Sequence, residues 1–98
     1  MKYRNVKTGG YDSRKESKRG AELKLLEKAG LITNLKEQVK YQVIPKQDGE
    51  RAAHYIADFA YMENGNLVVE DVKGFKTADY ILKRKLMRYV HGIAIIEI

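Results

Sequence analysis

Cysteine is absent from the 98-residue chain, which excludes disulfides and thiolate metal centres and is compatible with a reducing interior. Histidine occurs only at His54 and His91, too few for an imidazole-based zinc site, although either could join one carboxylate. No apolar run approaches a membrane span or a signal-peptide core, so insertion and secretion have no support and the cytoplasm is the expected compartment. Linkers and internal repeats are also missing. What is present, 44% hydrophobic and 33% charged residues, suits one globular domain over residues 1–98 with a modest core. Residues 1–12 are polar, interrupted by Gly9-Gly10, and read as a basic N-terminal arm.

The charge is unbalanced. Nineteen Lys and Arg stand against 13 Asp and Glu, a net +6 that favours polyanionic partners. The excess clusters around Lys2, Arg4, Lys7, Arg14, Lys15, Lys18 and Arg19, and again at Lys83, Arg84, Lys85 and Arg88. A soluble surface that happens to be basic would look the same, so charge alone decides little.

Ser13-Arg14-Lys15-Glu16 has the spacing of a capping box, with Asp12 a rival cap; a helix follows to Lys28 or Ala29, ended by Gly30. Leu35 to Ile44 alternates, with Leu35, Val39, Tyr41 and Val43 opposite Gln38 and Gln42, until Pro45 and the Asp48-Gly49 turn end it. Ala52 to Met62 forms a second strand, with Tyr55, Ala57, Phe59 and Tyr61 opposite Ile56, Asp58 and Ala60. Asn64-Gly65 signals a two-residue hairpin into a third strand, Leu67 to Lys73, apolar on both faces at its start. Thr77 caps a second helix running to Val90, with Ala78, Ile81, Leu82, Leu86, Tyr89 and Val90 as its buried side and Gly92 closing it. Ile93 to Ile98 is a last strand. The order of helix, three strands, helix and strand implies an α/β fold with a mixed sheet flanked by helices.

Two acids misfit this pattern. Asp58 interrupts a strand of Ala, Ile, Phe and Tyr, and Asp71 follows Leu67-Val68-Val69, although aspartate is a poor strand former and an unpaired buried charge is costly. The hairpin sets the two strands side by side, and alternation points Asp71 and Lys73 to one face with Val72 on the other. Two carboxylates and an ammonium then converge, a set that suits a hard divalent ion such as magnesium, with manganese a substitute, and phosphodiester hydrolysis. Lys73 could orient or deprotonate the attacking water and offset charge in the transition state. A salt bridge from either aspartate to Lys73, or exposure at a sheet end, would be the structural alternatives. Glu70 points to the opposite face and reads as a structural or surface acid.

Other candidates carry two readings each. Glu16 either completes the capping box or is carried by its helix toward Asp58. Gln38 lies on a polar face where it holds water, metal or nucleic acid, or is simply exposed. Lys85 falls within the apolar stripe of the second helix, where it snorkels outward or reaches a phosphate, as Lys83 nearby could. Arg4, Lys7, Arg14, Lys18, Arg19, Arg84 and Arg88 are candidate contacts to a nucleic-acid backbone. Tyr3, Tyr11 and Tyr80 either stack on exposed bases or fill a small core.

The helical glutamate, the aspartate and the Asp-x-Lys across a hairpin together resemble the PD-(D/E)XK nuclease superfamily. More narrowly, Lys2-Tyr3-Arg4-Asn5, Tyr11 to Glu16, Glu22-Leu23, Gly30-Leu31-Ile32, Gln38, Ala57-Asp58-Phe59, Glu70 to Gly74, Thr77 and Lys83 to Leu86 resemble a small phage and prophage family of unknown function within it. The resemblance covers nearly the whole chain. It implies a restriction-endonuclease-like core and magnesium-dependent hydrolysis of DNA, with Glu16, Asp58 and Asp71 as metal ligands and Lys73, Gln38 and Lys83 or Lys85 assisting. Ala57 replaces the usual proline before the motif aspartate, and Asp71 replaces the more frequent glutamate. The expected protein is a structure-selective or weakly specific endonuclease leaving a 5′-phosphate, active in phage recombination, repair or DNA processing in a bacterial host. A homodimer and phage replication or recombination proteins are the partners that reading implies. A catalytically idle DNA-binding accessory protein on the same fold is the alternative, with a purely structural phage protein third.

Overall fold

A computed structural model describes the backbone of residues 9–98 and the side chains from Arg14 onward. Tyr3, Arg4, Lys7 and the side chain of Tyr11 lie outside the described residues. The elements are α1 (Gly9–Lys28), β1 (Thr33–Ile44), β2 (Ala53–Glu63), β3 (Asn66–Asp71), α2 (Ala78–His91) and β4 (Ile96–Glu97). The four strands form one sheet in chain order, antiparallel from β1 to β3, with β4 parallel to β3 after the α2 crossover. The fold is therefore α/β, a mixed sheet with two helices.

Helix α1 begins at Gly9, so the last four residues of the expected arm are helical and Glu16 lies well inside the helix rather than in a cap. Its end is set by Gly30 at φ 82: the Gly30 N–H donates to the Glu27 carbonyl and the Leu31 N–H to that of Leu26. Among its described side chains only Gly20 and Leu23 are buried, with Glu16, Arg19 and Leu26 half-buried. Gly20 permits the close seat. A Cβ there would stand 3.3 Å from the Phe59 ring.

The core has two halves, one against each helix. Val43, Tyr55, Ala57, Ala60 and Val69 pack with Tyr80 and Met87 of α2. Leu23 of α1 packs with Ile32, Phe59, Tyr61 and Val72. Strict alternation would hold Tyr55, Ala57, Phe59 and Tyr61 on one face; instead the first two join the α2 cluster and the last two the α1 cluster. In β1, likewise, Val39 and Tyr41 pack on the α2 side while Leu35 packs on the α1 side. The exchange occurs at Gln38 and Asp58. Gln38 has a left-handed backbone, φ 55, yet Glu37↔Phe59 and Val39↔Ala57 keep the same register on either side. Both strands turn over together there.

Thr77 caps α2, its hydroxyl accepting from the Tyr80 N–H at 3.1 Å, and Gly92 closes it at φ 69. The buried face is rotated from the expected stripe. Tyr80 and Met87 are buried, Ile81 and Leu86 are partly so, and Ala78, Leu82, Tyr89 and Val90 are exposed. The reason is a polar anchor: the Tyr80 hydroxyl donates to Glu97 Oε2 at 2.6 Å, joined by Arg84 at 3.0 Å, while Lys76 reaches Oε1 at 2.9 Å. This tie fastens α2 to β4. It also holds the Glu97 carboxyl well below its usual range, the Tyr80 hydrogen bond being the largest cause. Strand β4 is shorter than the expected Ile93 to Ile98, and β3 stops at Asp71 rather than Lys73.

Candidate functional site

The site begins with the hairpin. Asn64 and Gly65 take φ 53 and 80, a pair of left-handed residues that suits a two-residue turn, and β2 and β3 pair with Phe59 opposite Glu70. Asp58 Oδ2 accepts from the Val72 N–H at 2.8 Å, which seats the carboxylate at the point where β3 ends. The face exchange matters here, because it is at the turned-over step that Asp58 and Gln38 meet. Gln38 Nε2 donates to Glu16 Oε2 at 3.0 Å and stands 3.4 Å from Asp58 Oδ1, so one amide links the helix acid to the strand acid.

Asp71 is 1% exposed, and its Oδ2 is buried without a hydrogen-bond partner among the described residues. Lys73 Nζ lies 3.3 Å from that oxygen without hydrogen-bond alignment, and 4.6 Å over the Tyr80 ring. The Tyr55 hydroxyl is likewise buried with no aligned partner among the described residues, although it stands close enough to favour the Asp71 carboxylate. Burial, followed by the adjacent Asp58 carboxylate, pushes Asp71 up to about 7, against the pull of Tyr55 and Lys73. Glu16 is raised as well, by burial first and then by Asp58 and Glu37, with Gln38 and Lys73 acting the other way. Negative charge exceeds positive charge in this corner of an otherwise basic chain.

Such a deficit of cations is what a hard metal ion relieves. The donors are all oxygen, the buried Asp71 Oδ2 accepts no hydrogen bond among the described residues, and the Asp58 carboxylate disfavours ionisation of Asp71, so the residues fit magnesium or manganese. Among the described residues, no three His, Asp or Glu side chains gather as a preformed cage. The centre is a carboxylate pair, with Glu16 one hydrogen-bonded step away. His91 is held at the Gln42 carbonyl, 2.7 Å from its Nε2, whereas His54 lines a hollow of about 250 Å³ with Tyr55, Lys73, Thr77 and Lys83. A second hollow, about 440 Å³, is lined by Glu16, Ser17, Gly20, Lys24, Glu37 and Phe59.

Several basic candidates are not free to meet a polyanion. Arg19 is committed to Glu70: Nε reaches Oε1 at 2.8 Å and Nη2 reaches Oε2 at 2.6 Å, while Tyr61 donates its hydroxyl to the same Oε2. Glu70 is thus the structural member of its two readings. Its partners were missed in the sequence, although a strand buried on both faces signals that any acid on it needs one. Arg84 is taken by Glu97, and buried Tyr80 does not offer its ring for stacking. Lys85 lines a hollow with Arg84, Arg88, Ala94 and Ile95, away from the carboxylates. Lys83 shares the Lys73 hollow but pairs with Asp79 at 3.5 Å. Arg14, Lys18 and Arg88 are exposed. Among the described residues, no helix is long and apolar enough to cross a membrane.

No curated protein and no solved structure matches the chain. A family model described as "Protein of unknown function (DUF1064)" matches residues 1–93, nearly the full length. The chain therefore belongs to the DUF1064 family, whose function its description leaves open.

Proposed function

We propose that this protein is a metal-dependent DNA endonuclease of the PD-(D/E)XK type. The observation that carries the reading is Asp71: a buried carboxylate with one bare oxygen, placed beside Asp58 and Lys73 where β3 ends. Asp58 and Asp71 would hold the ion, with Glu16 held near Asp58 through Gln38. The bound ion supplies Lewis acidity toward a phosphate oxygen and makes water a better nucleophile at neutral pH. Lys73 Nζ, part-exposed and anchored by Asp71 and the Tyr80 face, is placed to orient a water and to offset charge building on the phosphate. Gln38 fixes the Glu16 carboxylate as an acceptor. The exposed Arg14 and Lys18 on α1, and Arg88 on α2, supply sequence-independent attraction to the DNA backbone.

The test is a substrate panel of duplex, nicked, flap, four-way-junction and single-stranded DNA, in magnesium or manganese, beside Asp71→Asn and Lys73→Ala. Cleavage that requires metal, is abolished by Asp71→Asn and falls about 10²–10⁴-fold in Lys73→Ala is the expected result. No cleavage by folded protein that still binds DNA would overturn the nuclease reading in favour of a DNA-binding accessory role. The Asp71–Lys73 contact, which needs no metal, is the observation that favours that second reading.

A further inference from the structure

We infer that Arg19, Glu70 and Tyr61 form a positioning clamp that holds Glu16 within reach of the Asp58–Asp71 pair, an inference that rests on reading that pair as the working site. Arg19 lies three residues after Glu16 in α1, so both side chains leave the same side of the helix. Glu70 immediately precedes Asp71 in β3 and points to the opposite face, toward α1. The clamp therefore joins the turn that carries the helix acid to the strand step that carries the bare acid.

Its construction exceeds what seating a helix requires. Gly20 already rests on Phe59 and Leu23 is fully buried, and apolar side chains of equal volume would seat α1 at least as firmly as a buried ion pair. A two-point guanidinium–carboxylate fork adds direction, which apolar contact does not. The two contacts fix the Arg19 guanidinium against β3, tying the α1 turn that carries Glu16 to Glu70, and Tyr61 on β2 locks the carboxylate that receives them. A rotation of α1 that broke the fork would draw Glu16 from Gln38. Arg19, Glu70 and Tyr61 are thus positioning residues, acting through Glu16.

The experiment reads the Gln38 side-chain amide by ¹H–¹⁵N NMR, because that amide donates to Glu16 and needs no metal. In the paired variant Arg19→Gln/Glu70→Gln, the Gln38 signals are expected to move to the positions they take in Glu16→Ala. Mn²⁺ affinity should fall about tenfold, as for loss of a supporting shell, with no further loss when Glu16→Ala is added. Arg19→Lys keeps the charge but loses the fork, and should shift the Gln38 signals part of the way, which covers failure of the paired variant to fold. Unmoved Gln38 signals in either folded variant would overturn the clamp, as would additive losses of Mn²⁺ affinity. Absence of Mn²⁺ binding by the unaltered protein would overturn the metal reading, and the Gln38 signals would still decide the clamp.

Discussion

Glu70 and Asp71 are neighbours in one strand, and each is 1% exposed, yet their surroundings are opposites. Glu70 receives a two-point fork from Arg19 and a hydroxyl from Tyr61, so both its oxygens are occupied. Asp71 faces another carboxylate, and its Oδ2 accepts no hydrogen bond among the described residues, with only the unaligned Lys73 ammonium 3.3 Å away. Burial alone therefore says nothing about an acid's role. A satisfied buried acid belongs to the architecture, while an unsatisfied one is held at a cost that calls for an explanation, an ion or ordered water among them.

The comparison breaks most directly by deleting each acid in turn. Glu70→Ala takes the fork from a part-buried Arg19, leaving it only Glu22 at 3.2 Å, and strands the buried Tyr61 hydroxyl, so it should cost about 3 kcal/mol of stability, a large share for a small domain. Asp71→Asn keeps the shape and removes a charge that its neighbour opposes, so it should leave stability unchanged or raised while abolishing cleavage. Urea unfolding of the two variants measures both. Equal losses would mean that the two carboxylates are not different in kind.

The next effect is in pH. Asp71 is held at about 7, whereas an aspartate in the unfolded chain titrates near 3.8. Between those values the folded protein keeps a proton that the unfolded chain releases, so stability falls as pH rises through this window and levels off above it. The raised Glu16 acts in the same direction. Glu97, held low, acts oppositely and only in more acid solution, so measurements from about pH 5.5 upward avoid it. Unfolding free energies should decline toward neutrality in the unaltered protein and decline much less in Asp71→Asn. A flat profile in the unaltered protein would refute the unsatisfied state of Asp71.

Magnesium should reverse that decline. An ion bound only by the folded state at one hundred times its dissociation constant adds about 2.7 kcal/mol, visible as a rise in melting temperature near neutral pH. Asp71→Asn and Asp58→Asn should lose most of the rise, and Tyr61→Phe only part of it. A rise of equal size in all three would place the ion elsewhere.

How far the sequence announces this contrast differs from residue to residue. Asn64-Gly65 and the strands around it are legible because turn chemistry and alternation are local, and Thr77 and Gly92 bound α2 for the same reason. The exchange of faces at Gln38 and Asp58 is not, since a left-handed glutamine carries no compositional mark and the register continues unbroken across it. Glu16 was ambiguous because Ser13 offered a local partner three residues away, whereas Gln38, its partner in the fold, lies 22 residues on. The α2 face differs from its apolar stripe for a related reason. Tyr80 is buried because its hydroxyl finds Glu97, and periodicity weighs apolar bulk without seeing polar partners. Arg19 looked like one basic side chain among many until the fold brought Glu70 to it.

The smallest effect tests how much the fork adds to the apolar seat of α1. Gly20 follows Arg19, and a methyl group there would stand 3.3 Å from a Phe59 ring that is 1% exposed and closely packed. Gly→Ala within a helix otherwise gains about 0.5–1 kcal/mol. Because Phe59 has little room to yield, Gly20→Ala should lose that gain to crowding and change stability by less than about 1 kcal/mol, with a net loss. The paired variant Arg19→Gln/Glu70→Gln loosens the helix and should turn the same substitution from a small loss into a gain. A gain in the unaltered background would mean that α1 is already free to shift, and that the fork fixes less than its geometry suggests.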